Sequence, residues 1–399
     1  MCSSDLLEAD SPRGRIELMR ALEAGELEPD DPAVALHLDR CLGCRGCEPV
    51  CPSGVGYGHG LGAARALLAT RRSAPPLARA ALWALTTPGV SRVVYALARM
   101  LRAAGLPRAL AGWGRFRFAM GMLAATRPAD GRTGGRADRH APTPPSAGPP
   151  DRQTALLFRG CVMDGLFSHV HDATIRTLAI NGCEVRAVAG QVCCGALHAH
   201  AGLRDEARVL ACQNLAAFGS GDEPIVVNSA GCGAMLKEYA HLLAERDGAG
   251  AGDRGVRFAA RVRDVTELLA DQGPRPGAPL DRRVAYDPHC HLLHAQGIAE
   301  PPHRVLAAIP VLRVLSTPDA AQCCGSAGLF TLLEPGMSRA VLTPKLASLR
   351  DAAPQVVATG NPGCLMQIGA ALAASGLTAQ ARHPVELLDE SYRAAGYYA

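Results

Sequence analysis

Cys193-Cys194-Gly195-Ala196 and Cys323-Cys324-Gly325-Ser326 are two copies of one short signature, 130 residues apart. Adjacent cysteines bridge one another poorly, because the ring they would close is strained. Each pair therefore reads as two thiolates offered together to one soft, multi-atom ligand. Each pair also sits inside a longer spacing. Cys161, Cys193, Cys194 and Cys232 form the first set, and Cys290, Cys323, Cys324 and Cys364 the second. Matching cysteines are offset by 129, 130, 130 and 132 residues, which is an internal duplication.

The residues around both sets alternate between short apolar runs and helical stretches. In the first copy, strands are expected at 155–158, 184–189 and 224–227, with helices at 167–180 and 205–218. In the second, strands are expected at 283–286, 311–315 and 355–358, with helices at 302–309 and 337–349. This alternation predicts an α/β fold made of two duplicated parallel half-domains, at 154–245 and 280–390. In parallel α/β sheets the loops after the strands converge at one end. Each set of four cysteines is thereby expected to gather in its own half.

Residues 1–60 are expected to form a small α-helical ferredoxin-type module. Ser11 followed by Pro12 signals a helix start, and a second helix is expected over 31–39. Then comes Cys41-Leu-Gly-Cys44-Arg-Gly-Cys47-Glu-Pro-Val-Cys51-Pro52. This spacing is that of bacterial [4Fe–4S] ferredoxins, whereas zinc favours two separated C-x2-C pairs. Cys41, Cys44, Cys47 and Cys51 are the candidate ligands. In two-cluster ferredoxins the fourth cysteine of a run serves the other cluster, and the only cysteine upstream is Cys2. Either the chain begins inside its own ferredoxin module or Cys51 closes a single cluster locally. Both readings stay open at this level.

Residues 61–126 are rich in Ala, Leu and Arg and predict short helices. Val90, Val93, Val94 and Leu97 recur at helical spacing, with Arg92 and Arg99 off that face. Trp83, Tyr95, Trp113, Phe116 and Phe118 are expected to be packing residues. Residues 127–153 carry no apolar pattern and read as a disordered linker. Fifteen cysteines without a secretory signal pattern point to metal or redox chemistry rather than a disulfide framework. Outside the clusters, Cys183 and Cys212 are expected to be buried thiols. A formal charge of +4 over 399 residues gives no case for nucleic acid. The uncharged stretch 352–381 is broken by Asn361-Pro362-Gly363 and reads as strand, turn and helix, so no transmembrane segment is expected.

These residues together resemble a known family. The tandem Cys-Cys-Gly sets behind a ferredoxin run resemble the cysteine-rich (CCG) proteins, which include the cysteine-rich subunit of heterodisulfide reductase and the iron–sulfur subunits of glycolate and lactate oxidation. Residues 10–16 (DSPRGRI), 41–57 (CLGCRGCEPVCPSGVGY), 228–239 (NSAGCGAMLKEY), 323–328 (CCGSAG), 361–366 (NPGCLM) and 383–388 (HPVELL) are most similar to the glycolate oxidase type. Two departures stand out. The family normally carries two ferredoxin runs, and this chain shows one. Met235 and Gln367 stand where the general pattern has a fifth cysteine, as in the glycolate oxidase type.

The resemblance implies an electron-transfer iron–sulfur subunit of a glycolate (2-hydroxy acid) oxidase that is not catalytic alone. FAD would sit only on partner subunits, and electrons would pass toward a membrane quinone. It implies a [4Fe–4S] cluster at the N-terminal run and further iron–sulfur clusters at the two Cys-Cys-Gly sets. The location implied is cytoplasmic, peripheral to the membrane through the complex. No Gly-rich dinucleotide fingerprint or nucleophile motif accompanies these signals. The competing readings are a heterodisulfide-reductase-like thiol–disulfide reductase, a lactate dehydrogenase subunit and a zinc-holding module. His198, His200, His289, His291 and His294 flank the cysteines and are candidate neighbours of a cluster. Arg13, Arg15 and Arg45 are expected to balance cluster or carboxylate charge near the module surface.

Overall fold

The computed structural model describes residues 7–128, 153–247 and 249–398. Most of the expected linker, residues 129–152, lies outside the described residues, as does Cys2. At the linker's far end, Gln153 already opens the first strand.

The N-terminal module is built on α1 (Pro12–Glu23), α2 (Pro32–Asp39) and α3 (Tyr57–Arg71). Ser11 caps α1 by accepting from the Gly14 amide, and Asp31 caps α2 by accepting from Ala33. Leu22, Val34, Leu38, Tyr57, Leu61 and Leu68 form its core, and Cys41 is buried among them. Arg15 is not at the module surface as expected. It is 2% exposed, paired with Asp10 at 3.0 Å, and donates to the His37 carbonyl. A buried arginine is tolerated here because carboxylate and carbonyl both meet its guanidinium.

The helical region comprises α4 (Pro76–Thr86), α5 (Pro88–Ala103), α6 (Leu106–Leu110) and α7 (Arg115–Ala124). It rests on both halves of the molecule. Arg102 on α5 is buried and donates to the carbonyls of Thr126 and Leu166. Gly121 on α7 and Ala125 just after it meet Ala370 and Gly369, small residues that let two helices approach closely. Tyr95 is buried, and Trp113 stacks on Phe118, as packing residues do. Trp83 and Phe116 depart from expectation, being 61% and 64% exposed.

The remainder is two four-stranded parallel sheets of identical order. One is β2-β1-β3-β4, with β1 (Gln153–Phe158), β2 (Cys183–Ala187), β3 (Ile225–Val227) and β4 (Val262–Asp264). The other is β6-β5-β7-β8, with β5 (Arg283–Tyr286), β6 (Arg313–Leu315), β7 (Val356–Ala358) and β8 (Gln380–Arg382). The edge strands β4 and β8 extend each sheet beyond what the apolar runs predicted. The central strands β3 and β7 are buried throughout, as parallel strands covered on both faces must be.

One apolar cluster joins the two sheets, uniting Leu157, Val226 and Leu269 of the first half with Tyr286, Val356 and Leu388 of the second. Arg176 grips Asp389 across the halves with two hydrogen bonds of 2.8 Å. Among the described residues no helix is long and apolar enough to cross a membrane.

Candidate functional site: two thiol sets in one chamber

Four cysteines of the duplicated sets lie at helix starts, and the two Cys-Cys pairs lie in the loops that follow β2 and β6. Cys161 and Cys290 follow β1 and β5, Cys232 opens the helix Ala230–Lys237, and Cys364 lies in the first turn of Pro362–Ala374. Helix starts present free N–H groups and partial positive charge, which favours thiolates. In the first half Cys161 and Cys193 sulfurs are 3.4 Å apart, as are those of Cys194 and Cys232. In the second, Cys324 donates to Cys364 at 3.1 Å.

The glycine of each Cys-Cys-Gly is required by the backbone. Gly195 and Gly325 have φ of 87° and 79°, in the left-handed region. A Cβ on Gly325 would also fall 2.4 Å from the Ser338 carbonyl oxygen. The turn thus directs both thiols to the same side while the chain enters the following segment.

The two sets share one space. A chamber of about 220 Å³ is lined by all eight cysteines, together with apolar residues such as Leu42, Met163, Leu197 and Leu329. The turns that bring them together touch directly: Ala230 donates to the Gly360 carbonyl, and Gly231 to the Asn361 side chain. Among the described residues, no three His, Cys, Asp or Glu side chains converge as a single-ion site requires. The thiols gather instead in pairs along an apolar chamber, a donor set that suits soft polynuclear iron–sulfur groups.

The electrostatics of the two sets differ. Cys193 is held well below the usual thiol range by hydrogen bonds from Cys161 and Cys194, with the Gly195 amide and His198 adding to the effect. Cys161 and Cys194, which share their protons with it, are pushed up. In the second set no such low thiol exists. Cys290 is raised by its contact with Cys323 and by burial. The hydrogen bond from Cys324 favours a thiolate at Cys364, yet burial and the charges nearby raise it. Behind this set lies Asp287, 5% exposed, paired with the buried Lys345 and accepting from Thr359 at 2.8 Å. Its charge works against thiolates at Cys290, Cys324 and Cys364.

The loop carrying Cys41, Cys44, Cys47 and Cys51 lies against this chamber through Leu42. Cys41 accepts from the Gly43 amide and the Tyr57 hydroxyl, both at 3.4 Å. Leu42 packs with Phe330 and Val341, and Cys44 and Cys323 lie against the same cluster. Cys47 joins Cys41 at the module core. Cys51 is half-exposed, and the Val55, Ser53 and Gly54 amides draw its thiol below the usual range. Arg45 bridges Glu48 at 2.8 Å and Glu238 of the first half at 2.6 Å, and His59 reaches Glu238 at 2.5 Å. Burial opposes the Glu238 carboxylate, yet the His59 and Arg45 contacts lower it to about 2.

The flanking histidines fall into separate roles. His200 and His291 stack at 5.6 Å between the loop and the chamber, and His291 meets the Gly43 carbonyl at 3.3 Å. Burial lowers both, His200 to about 3. His294 approaches Gly46, within 3.5 Å of where a Cβ would stand. His198 is buried beside Cys193, and its Nδ1 has no hydrogen-bond partner. His289 is turned to Asp287, Thr359 and Gly360.

Arg13 pairs with Glu8 on the surface, away from these thiols. Cys183 is buried in the first-half core, but Cys212 is exposed, contrary to expectation, because its helix turns that face to solvent. Sequence reading missed Asp287, Lys345 and Ser338. The last binds the Gly325 carbonyl at 2.8 Å and accepts from Gln367, the residue standing in the fifth-cysteine position. Met235 packs into the first-half core.

The cysteine-rich domain family matches residues 155–237 and 284–369, one match per half. The chain is 33% identical over 407 residues to the probable glycolate oxidase iron-sulfur subunit of Bacillus subtilis (strain 168), covering 99% of this chain and 90% of that protein. It is 30% identical to the glycolate oxidase iron-sulfur subunit of Escherichia coli (strain K12), over 96% of this chain and 88% of the relative. Lactate utilization protein A of Geobacillus kaustophilus (strain HTA426) is 31% identical, but over 58% of this chain. With tandem cysteine-rich domains and near full-length similarity, the chain belongs to the glycolate oxidase iron–sulfur subunit family.

Proposed function

We propose that this chain is the electron-transfer subunit of a glycolate oxidase, taking electrons from a flavin subunit and delivering them toward quinone. Oxidising a 2-hydroxy acid to its 2-oxo acid releases two electrons and two protons, which the partner's flavin accepts. Reducing a quinone to its quinol consumes the same number. Glycolate is favoured over lactate because the relatives that span the chain carry the glycolate name, while the lactate relatives cover little over half of it.

The observation that carries the reading is the packing of Cys44 and Cys323 against one apolar cluster, beside a chamber lined by all eight duplicated cysteines. Thiolate-held iron–sulfur clusters, when bound, supply one-electron storage whose potential is tuned by hydrogen bonds and burial. Cys41, Cys44, Cys47 and Cys51 are the proposed ligands of a [4Fe–4S] group. The two four-cysteine sets are the proposed ligands of further groups. Tyr57 and the Gly43 amide hold the Cys41 sulfur, while Asn361 donates to Cys364 at 3.6 Å. The apolar lining keeps water from the thiols and lowers the local dielectric.

Anaerobic purification with flavin-carrying partner subunits tests this reading. Iron and sulfide are quantified, and glycolate is added while electron paramagnetic resonance follows reduction. The proposal expects an iron-loaded brown chain reduced by glycolate only when the flavin subunits are present. A colourless protein with stoichiometric zinc would overturn it. Disulfide turnover without any partner would favour the thiol–disulfide reductase instead.

A further inference from the structure

We propose that α4–α7 form a docking surface for an anionic lipid bilayer. The stretch from Pro49 to Ala129 contains no aspartate or glutamate, an interval of unusual length in a chain whose formal net charge is only +4. Within α4–α7 all the charged side chains are arginines. Arg79, Arg92, Arg108 and Arg117 are exposed, and none of them forms an ion pair among the described residues. Arginines left without carboxylate partners across a whole face are complementary to a surface of phosphate groups.

The apolar pattern is inverted relative to a core-packed helix. Val93, Leu97 and Met100 recur at i, i+4 and i+7 on α5, the spacing of one helical face. That face points outward, with the three side chains 53–66% exposed. Trp83 on α4 and Phe116 on α7 are exposed to the same degree. The inner side of α5 is held by Tyr95, which fills the space over Gly165, and by Arg102. Helices with arginines on a polar flank and Trp, Phe and Leu on an outward apolar flank lie in the interface plane of a membrane. Neither feature suffices alone; their coincidence on four consecutive helices selects a lipid surface over a bare anion or an apolar protein groove.

The geometry gives this surface a use. A cleft of about 450 Å³ opens beside α7, bounded by Trp113, Phe116, Met122 and Leu332. Thr331 and Gln367 also line it, and both belong to the hydrogen-bond network on the Gly325 carbonyl, next to Cys324. An apolar acceptor dissolved in the bilayer would meet this cleft without crossing water. Only this use rests on the electron-transfer reading. Lipid binding is measured without substrate, so either idea can fail while the other stands.

The test is flotation of the anaerobically purified full chain with phosphatidylcholine vesicles, with and without about 30 mol % phosphatidylglycerol. Binding is expected to the anionic vesicles at about 50 mM salt and release at about 500 mM, where screening is short-ranged. A triple Arg79→Gln/Arg92→Gln/Arg108→Gln variant should lose on the order of 100-fold in vesicle partition. A Leu97→Ser/Met100→Ser variant should weaken binding to the same vesicles while melting as the parent chain does. Absence of binding to anionic vesicles, or equal partition of the triple variant, would overturn the inference. So would variants that keep vesicle binding but no longer capture the flavin subunits, since the face would then belong to a protein partner.

Discussion

Lys345→Met provides a sharp test of how the second thiol set is supported. Lys345 and Asp287 each have side chains 5% exposed, so the pair is sealed from solvent. Burial works against the Lys345 ammonium, yet Asp287 beside it raises the lysine above its ordinary range. The ammonium also donates to the Ala320 carbonyl at 2.8 Å, tying the loop before Cys323 to the helix Pro335–Ala352. Removing the lysine leaves Asp287 charged and buried without its cationic partner, with the Thr359 hydroxyl still donating to it. Breaking one side of such a pair costs about 3–5 kcal/mol. For a folding unit of roughly 150–250 residues this lowers Tm by about 6–20 °C. The double variant Asp287→Asn/Lys345→Met removes both charges and keeps an acceptor for Thr359, so it should recover most of the loss. The assay is thermal unfolding of anaerobically prepared protein at fixed scan rate, because cluster proteins often unfold irreversibly. A single variant within about 1 kcal/mol of the parent, or a double variant as unstable as the single, would refute the reasoning.

Two further outcomes follow from positions outside this pair. Gly325→Ala places a methyl 2.4 Å from the Ser338 carbonyl at a φ of 79°, whereas the nearest atom to a Cβ on Gly195 is 3.3 Å away. The first substitution should cost about 2–4 kcal/mol and the second about 1–2 kcal/mol, and equal urea midpoint shifts would contradict the comparison. His171 and His383 are 2% and 1% exposed, and burial lowers both to about 3. Unfolded histidine takes up its proton near pH 6.5. The unfolded state therefore binds more protons between about 6.5 and 3, and stability present above that window is lost as pH falls through it. Each residue contributes about 1.4 kcal/mol per pH unit there. His171→Gln should flatten the fall of the urea midpoint between pH 6.5 and 5, and an unchanged slope would count against this assignment.

Much of the fold was legible because each half alternates buried apolar runs with helices. Ile225–Val227 and Val356–Ala358 can only be strands buried on both faces. The edge strands Val262–Asp264 and Gln380–Arg382 were not legible, since three residues with charged members carry no apolar run. Periodicity found the Val93–Leu97 stripe but could not say which side the protein would cover. The same limit misplaced Trp83, Phe116 and Cys212. Cysteine spacing predicted two separate gatherings of four, and the sharing of one chamber escaped it. That sharing depends on contacts such as Ala230 with Gly360, which pair backbone atoms 130 residues apart and leave no mark on residue type. Asp287 and Lys345 escaped notice because each is an ordinary charged residue until burial puts them side by side.

The duplication also explains why these two residues matter. In the sheet register Tyr286 matches Phe158, so Asp287 occupies the place that Arg159 holds in the first half. Arg159 is half-exposed and pairs with Asp164, whereas Asp287 is buried and puts a carboxylate behind three thiols. Gln367 similarly anchors the Gly325 turn through Ser338, where the first half has Met235 in its core. Two sites with the same ligands and the same surroundings would share one potential and provide no gradient between them. On the proposed reading, the halves keep their thiols alike and differ in what stands behind those thiols. Hydrogen bonds and buried charge around a cluster tune its potential without altering a ligand. A duplicated domain can become two steps of a relay by this route alone, and a buried Asp–Lys pair present in one half is a change of that kind.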